Sequence, residues 1–597
     1  MIKILRKFMP GSLKWAMAVP LIMLIEIYCN LVQPTLMADI IDIGVANGDI
    51  PFIMSTGARM ILYAGVGLLA GFGCVACSAI SAVGFAGRLR KAFFAKIQTF
   101  SFEDLDRFKT SSLITRMTND VAQMQQVTMM GQRMLYRAPF MSIGGMIMAY
   151  RLSPSLAMIL LVSIPALLGV TVFLLSRAIP LFTIMQGKMD RINEIVRENI
   201  LGVKVVKSFV SQDREAARFN IANKDLMNSG MRASRNMSLL FPLTLLISNL
   251  SVVAVLWIGG NMSMVGGIEI GKVIAFINYL LQIINSLTMM MMMNMFISRA
   301  KVAATRINAV LDTEPGIKDA SSPGAGIYAG TVPDTAADSG AGAVEAAGYD
   351  IEFRDVSFKY HGASAFALKN ISFKIPEGRT IGILGTTGSG KSTLVSLIPR
   401  LYEATEGSVL IGGLDVRAYP QSVLRSKIGL VLQENILFSG SIEENLRFGK
   451  ESATQSEMRE AAEDAQALGF ILEKERGFDT YVEQRARNFS GGQKQRLSIA
   501  RTLLRKPDIL ILDDAASAVD MVTEARIREA INRRIGSCTV IIIAQRIAAI
   551  KDADEIFVMN EGAIEAIGTH ERLILESEIY RNIVAAQMGE EAVAHAG

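Results

Sequence analysis

The sequence predicts an α-helical six-span membrane domain followed by an α/β domain built round a phosphate-binding loop. Three observations carry this. Long uncharged apolar runs crowd the first half of the chain, and the second half alternates short apolar strands with amphipathic helices. Between one such strand and one such helix stands the glycine-rich "GTTGSGKST". Bulk composition agrees: a 597-residue chain that is 51% hydrophobic, with mean hydropathy +0.34, is more apolar than ordinary soluble proteins. The net charge of +5 is small, and no dense Lys/Arg block with interleaved aromatics occurs, which sets nucleic acid aside as a partner.

A bilayer core of about 30 Å needs about 20 apolar residues in a helix. Six runs qualify, near residues 15–38, 58–84, 135–150, 156–175, 239–259 and 273–296. The N-terminal "MIKILRKFMPGSLKW" places basic residues ahead of the first run, which continues past signal-peptide length and reads as a retained span. Basic residues then set orientation. The second-to-third connection holds "GRLRKAFFAK" and the fourth-to-fifth "VKVVKSFVSQDREAARF", whereas "IDIGVANGDIPFIMST" and "GGNMSMVGGIEIG" contain no Lys or Arg. The charged connections are therefore expected in the cytoplasm with both termini, in a multi-pass protein of the cell membrane. Each is about 50 to 60 residues and keeps helical periodicity, so the spans are expected to continue as levers, with tips at "FEDLDRF" and "VSQDREAARF".

Polar groups inside the spans need a reason, because an unpaired charge at mid-bilayer costs several kcal/mol. Glu26 in "LIMLIEIYCN" either neutralises a cationic substrate or pairs with another helix. The sixth run places Asn278, Gln282, Asn285 and Met289 on one helical face, polar and then soft. That face serves either interhelical packing or as a substrate-facing wall, and the wall is favoured. Cys74 and Cys77 form a C-x-x-C within an apolar run without a second ligand pair, which fits packing better than metal or redox chemistry.

The expected domains are a membrane domain over 1–320, a Gly/Ala-rich flexible linker over 321–348, a soluble domain over 349–590 and a tail over 591–597. In the soluble domain "IGILGTTGSGKST" passes from strand through Gly385, Thr386, Thr387, Gly388, Ser389 and Gly390 to Lys391, Ser392 and Thr393 at a helix start. The glycines let backbone N–H groups close round phosphates, Lys391 reaches the β and γ oxygens, and Ser392 meets Mg²⁺. "ILILDDAASAVD" is a second apolar strand, ending in Asp513 beside the magnesium shell. Tyr360 in "VSFKYHG" suits adenine stacking, and Ser490, Gly491 and Gly492 open a helix whose N-terminus can approach another phosphate.

The soluble half thereby resembles the ATPase domain of ABC transporters, and the six-span half resembles the membrane domain of the exporter type. The matches come in order: aromatic-loop Tyr360, Walker A Gly385 to Thr393, Q-loop Gln433 in "LVLQENILF", signature Ser490 to Gln493, Walker B Asp513 and a D-loop ending at Asp520. The resemblance implies ATP and Mg²⁺ as cofactors, with Ser392, Gln433 and Asp513 round the metal. It also implies a dimer in which each ATP lies between one Walker A and the opposite signature.

Two positions depart from the family together. Its usual catalytic Glu is Asp514 here, and its switch-loop His is Gln545. "YVEQRARN" also departs from the common T-x-V-G-E-R-G spelling before the signature. An Asp carboxylate sits about 1.5 Å further back than that of Glu, and a 1 Å misplacement can cost about 100-fold in rate. A Gln carries no imidazolium charge. This site is therefore expected to hold MgATP and split it slowly, while Ser490, Gly491, Gly492, Gln493 and Asp520 act on the partner's ATP. The chain then resembles the degenerate-site subunit of heterodimeric exporters, whose non-identical partner carries the Glu and the His and whose substrates are lipophilic or drug-like. The alternatives are an active homodimer, a lipid or lipid-linked-precursor flippase, and an ATP-gated conduit.

Overall fold

The computed structural model describes residues 1–318, 348–514, 519–534 and 538–588. The tail over 591–597, all of the expected linker except residue 348, and most of the D-loop segment before Val519 lie outside these residues. The chain divides into two compact units, Met1–Gln98 with Ser111–Thr313, and Thr99–Thr110 with Glu314–Gly597. Relative to the boundary expected near 320, the division falls at Thr313 and gives a short early segment to the second unit.

Leaving aside three helices of six or seven residues, the helices labelled in the first half are α1 (Leu13–Asp39), α2 (Ile50–Gln98), α3 (Phe102–Phe108), α4 (Val121–Leu152), α5 (Pro154–Leu201), α6 (Gln212–Ser238), α7 (Leu240–Met264) and α8 (Ile270–Leu311). At 1.5 Å per residue α2 and α5 are each about 70 Å long, more than twice a ~30 Å hydrocarbon core. They therefore run on beyond the spans as continuous helices. Leu68, Leu69 and Phe72 on α2 and Trp257 on α7 are each about three-quarters exposed, a surface that lipid covers and water does not.

Among the described residues five helices are long and apolar enough to cross a membrane by length and composition, and α4 is not one of them. The third expected run lies in α4, where Arg133, Arg137 and Arg151 lower the hydropathy. One of these charges is met inside the first unit: Arg137 Nη1 lies 3.0 Å from Glu26 Oε1, and Glu26 is buried. Pairing removes the unpaired-charge penalty for both. The packing of α4 is otherwise apolar or small, through Met124, Val127, Ala138, Met141 and Ala149. An interhelical hydrogen bond from Gln132 Nε2 to Ser81 Oγ at 3.0 Å ties α4 to α2, and one between Ser163 and Ser251 at 2.7 Å ties α5 to α7.

The second unit holds twelve labelled strands among its described residues. A four-stranded antiparallel sheet runs β2 (Leu368–Ile375), β1 (Ile351–Phe358), β4 (Glu406–Ile411), β5 (Leu414–Asp415). A six-stranded sheet runs β12 (Ala563–Gly568), β11 (Glu555–Asn560), β3 (Thr380–Gly385), β10 (Thr539–Ile543), β9 (Ile509–Asp513), β6 (Ile428–Val431). Two-residue strands β7 (Gly440–Ser441) and β8 (Tyr481–Val482) pair separately. The central strands are parallel and buried on both faces, which explains their unbroken apolar runs. Alternation sorts them: Ile381, Ile383, Ile509, Ile511, Ile541 and Ile543 enter one core, and Leu510, Leu512, Val540 and Ile542 the other.

The tip "FEDLDRF" is α3, and it belongs to the second unit. Ser101 and Asp104 close a capping box at its start, and its Asp106 accepts a hydrogen bond from Tyr402 Oη at 2.9 Å. The other expected tip begins α6 and stays in the first unit.

The N-terminus of α8 has no cap from its own Glu269. Asp42, in the π-helical turn after α1, supplies it: Gly271 and Lys272 donate their backbone N–H groups to its Oδ1 and Oδ2 at 2.6 and 3.1 Å. Asp42→Ala is expected to cost about 1–2 kcal/mol, read as a lowered melting temperature of the detergent-solubilised protein. An unchanged melting curve would mean that this cap contributes nothing.

Candidate nucleotide-binding site

Three parallel strands end together. Ile543 pairs with Ile383 on one side and Asp513 on the other, so the segments after β3, β9 and β10 emerge at one edge of the sheet. The loop after β3 wraps back to helix α9 (Lys391–Leu397). A Cβ at Gly385 would collide with the Met559 carbonyl oxygen, so no side chain fits there. Gly390 has φ +99°, where side-chain-bearing residues are strained. Lys391 Nζ donates to the carbonyls of Gly385 and Thr386 at 2.9 and 2.8 Å, curling over its own loop. Thr386, Thr387 and Gly388 are exposed and Ser389 is buried.

Ser392 Oγ donates to Asp513 Oδ1 at 3.0 Å. A hydroxyl and a carboxylate side by side at a helix start are the donor set for a divalent cation shared with phosphate oxygens, so Mg²⁺ fits their chemistry. Asp514 follows at φ +49°, held by its N–H donating to the Ile543 carbonyl at 3.0 Å. Its Oδ2 accepts from Gln545 Nε2 at 3.1 Å and from Gln433 Nε2 at 3.5 Å. Asp513, Asp514, Gln433, Gln545, Lys391 and Ser392 are thus one cluster.

Burial pushes the Asp513 carboxyl above its ordinary range, opposed by the Ser392 hydroxyl and reinforced by the Asp514 charge. Asp514 is also raised, by burial first, against the hydrogen bond from Gln433 and the charges of Lys391 and Arg546. Burial lowers Lys391, against the attraction of the two carboxylates.

Tyr360 is 37% exposed and packs edge-on against Phe358 and Tyr402, with ring centroids at 4.8 and 5.4 Å, which leaves part of the ring open for a flat ligand. Its hydroxyl shares a 2.9 Å hydrogen bond with Thr393 Oγ1, tying it to the loop. Ser490 caps α10 (Gly491–Leu503) in a reciprocal box with Gln493, and Gly491 at the helix start is exposed. The altered segment before it contains Arg485 and Ala486 at φ +60° and +49°. Asp520 is exposed, and Thr523, through its hydroxyl and its N–H, holds its carboxyl below the usual range. In the first unit, Asn278 and Asn285 on α8 are exposed, Met289 is half-buried, and Gln282 keeps a buried Oε1 without a hydrogen-bond partner.

Sequence reasoning missed Gln495 and Tyr402. Gln495, buried on α10, directs its Nε2 to the Asp514 carbonyl at 3.4 Å. A polar residue on the apolar face of "GGQKQRLSIA" was the available signal.

Comparison with known proteins gives two family matches, to the ABC transporter transmembrane region over residues 17–287 and to the ABC transporter family over residues 368–517. The chain is 38% identical to the ABC transporter ATP-binding protein YfiB of Bacillus subtilis, over 96% of both chains. It is 39% identical to an ABC transporter ATP-binding protein of Mycobacterium tuberculosis, over 95% of both. Among solved structures it is similar to a bacterial Atm1-family ABC exporter with ATP bound, with TM-score 0.74 over 98% of each chain at 24% identity.

The raised carboxyls give a sign to pH dependence. Each contributes stability to the ligand-free protein that is full below the unfolded-chain pKa of about 3.9 and is lost as pH rises through the higher folded value. A cation at Asp513 needs the anion, so Mg²⁺-dependent binding of a fluorescent ATP analogue is expected to weaken as pH falls through that raised value. Asp514→Asn removes the neighbouring charge and is expected to move this acid limb to lower pH. An unmoved limb would show that the two carboxyls do not interact.

Proposed function

The chain belongs to the ABC transporter family and has the exporter half-transporter fold, and from that premise we propose that it is the degenerate-site half of a heterodimeric exporter of lipophilic or drug-like compounds. Its own Walker A and B segments form a site that holds MgATP and hydrolyses it slowly. Ser490 to Gln493, with Asp520, complete the site of a non-identical partner that carries the Glu and the His.

The observation that carries this reading is the 3.1 Å hydrogen bond from Gln545 Nε2 to Asp514 Oδ2. An attacking water needs a carboxylate that reaches it and accepts its proton. The Asp514 carboxylate is about 1.5 Å short of where Glu would place it, and two amides draw it sideways. Gln545 can hydrogen-bond a γ-phosphate but brings no charge to it. Binding is unimpaired by the same account: the Lys391 ammonium is free to swing from the loop carbonyls to phosphate, Ser392 and Asp513 offer Mg²⁺ its protein ligands, and Tyr360 offers a ring to adenine. Bound Mg²⁺ supplies charge neutralisation to the phosphates. Retained ATP would keep two soluble domains together while the partner site turns over.

Basic connections on one side of the apolar runs support a cell-membrane protein with both termini in the cytoplasm. For the substrate path, the face bearing Asn278, Gln282, Asn285 and Met289 offers amides and a polarisable thioether beside apolar helix, which suits ligands that are mostly apolar. Glu26, ion-paired to Arg137, would meet a cationic ligand only by exchanging that partner.

ATP hydrolysis by the chain alone, with its partner, and as the Asp514→Glu/Gln545→His variant tests the assignment. The lone chain is expected to turn over at less than about a tenth of the mixed complex, and the double variant to recover about ten-fold or more. Rates are compared at equal folded fraction, since Asp tolerates φ +49° better than Glu. Equal per-site turnover by the lone wild-type chain would overturn the heterodimer.

A further inference from the structure

The last described helix of the chain, α11 (Glu578–Met588), reaches the candidate site through one side chain. Tyr580 and Val584 are buried in the core of the second unit, and Gln587 follows on the same helical face at the i, i+4, i+7 spacing. Tyr580 is further fixed by a 2.6 Å hydrogen bond between its hydroxyl and His570 Nδ1. From this anchored face the Gln587 amide bridges the segment after β10: its Nε2 donates to the Gln545 carbonyl at 2.6 Å, and its Oε1 accepts from the Ile547 N–H at 2.9 Å. Ile547 is itself fully buried. The backbone on both sides of Arg546 is therefore gripped by one planar group.

We propose that Gln587 is a positioning residue for the nucleotide site, holding the switch segment from the C-terminal helix so that the Gln545 amide stays within reach of Asp514 and of a bound γ-phosphate. The chemistry of the grip is specific. A carboxylate at 587 accepts but cannot donate and an ammonium donates but cannot accept, whereas the carboxamide of this length does both at once, from two separate atoms. Without the grip the Gln545 carbonyl and the Ile547 N–H lose the side chain that bridges them, and the Gln545 side chain is held less firmly in the direction that reaches Asp514. Undocking of α11, by whatever means, then becomes a way to loosen nucleotide at this site. The proposal deepens the holding-site reading and rests on it for the consequence, prolonged retention of ATP, though not for the geometry.

The test measures release of radiolabelled MgATP from the full-length chain in nanodiscs during a chase with unlabelled ATP. Gln587→Ala is expected to speed release about five-fold, the scale of one lost hydrogen bond. Gln587→Glu, which keeps an acceptor for Ile547 but turns a carboxylate oxygen on the Gln545 carbonyl, is expected to speed release at least as much. Combined with Gln545→Ala, Gln587→Ala is expected to add nothing further, because both act through one side chain. Unchanged release in Gln587→Ala, or the same increase whether or not Gln545 is present, would overturn the proposal, and so would a lowered melting temperature with release unaffected. Hydrolysis measured on the same samples separates the two ideas. Rapid splitting by the wild-type lone chain with the 587–545 coupling intact removes the holding site and leaves the positioning role, whereas slow splitting without coupling removes the positioning role alone.

Discussion

One backbone hydrogen bond, from the Asp514 N–H to the Ile543 carbonyl at 3.0 Å, fixes where the second acid of the site leaves the sheet. It carries the parallel ladder between β9 and β10 one residue past Asp513, so that two carboxylates leave one strand as Gln545 leaves its neighbour. The strands are buried on both faces, and a slip of register would move every isoleucine of one core into the other. Packing therefore fixes which residues stand at the edge. The loop from Gly385 to Lys391 follows from β3 on the other side of β10, so the glycine-rich loop and the pair of acids leave the same edge of the sheet.

The arrangement concentrates like charge. Asp513 and Asp514 are adjacent, partly desolvated and raised in pKa, with the Lys391 charge opposing the rise at both and that of Arg546 at the second. A site in that condition gains from anything that brings positive charge, which is what Mg²⁺ would do. The same crowding makes the second acid's surroundings decisive. Gln433 and Gln545 give Asp514 hydrogen bonds without charge, and Gln495 supports its carbonyl from below. On the proposed reading, a carboxylate that is shortened and laterally held in such a place activates water poorly.

The chemistry-bearing loops were legible in the sequence because each is a local signal: a strand, a turn with its glycines, a capped helix. The long apolar runs were legible for the same reason, although α4 is a membrane-unit helix whose arginines hide it from a composition test. Contacts between distant segments could not be read. Glu26 and Arg137 come together only because α1 packs near α4, and nothing within either run names the other. Asp42 capping α8, the second unit claiming Thr99–Thr110, and the positive φ of Asp514 and Ala486 belong to the same class. In each, tertiary packing selects one partner or one conformation from several that local sequence allows. The tip in "VSQDREAARF" shows the converse, since a helical signal was there but its unit membership was not.

The central claim is that nucleotide at the Lys391 site stays whole while its counterpart is consumed. The direct measurement loads the assembled transporter with a photoreactive, radiolabelled ATP, allows several turnovers, removes free nucleotide, and crosslinks what remains. The account predicts intact triphosphate attached near Tyr360 of this chain, about one per complex, with diphosphate confined to the partner. Diphosphate at both places in equal amount would contradict it.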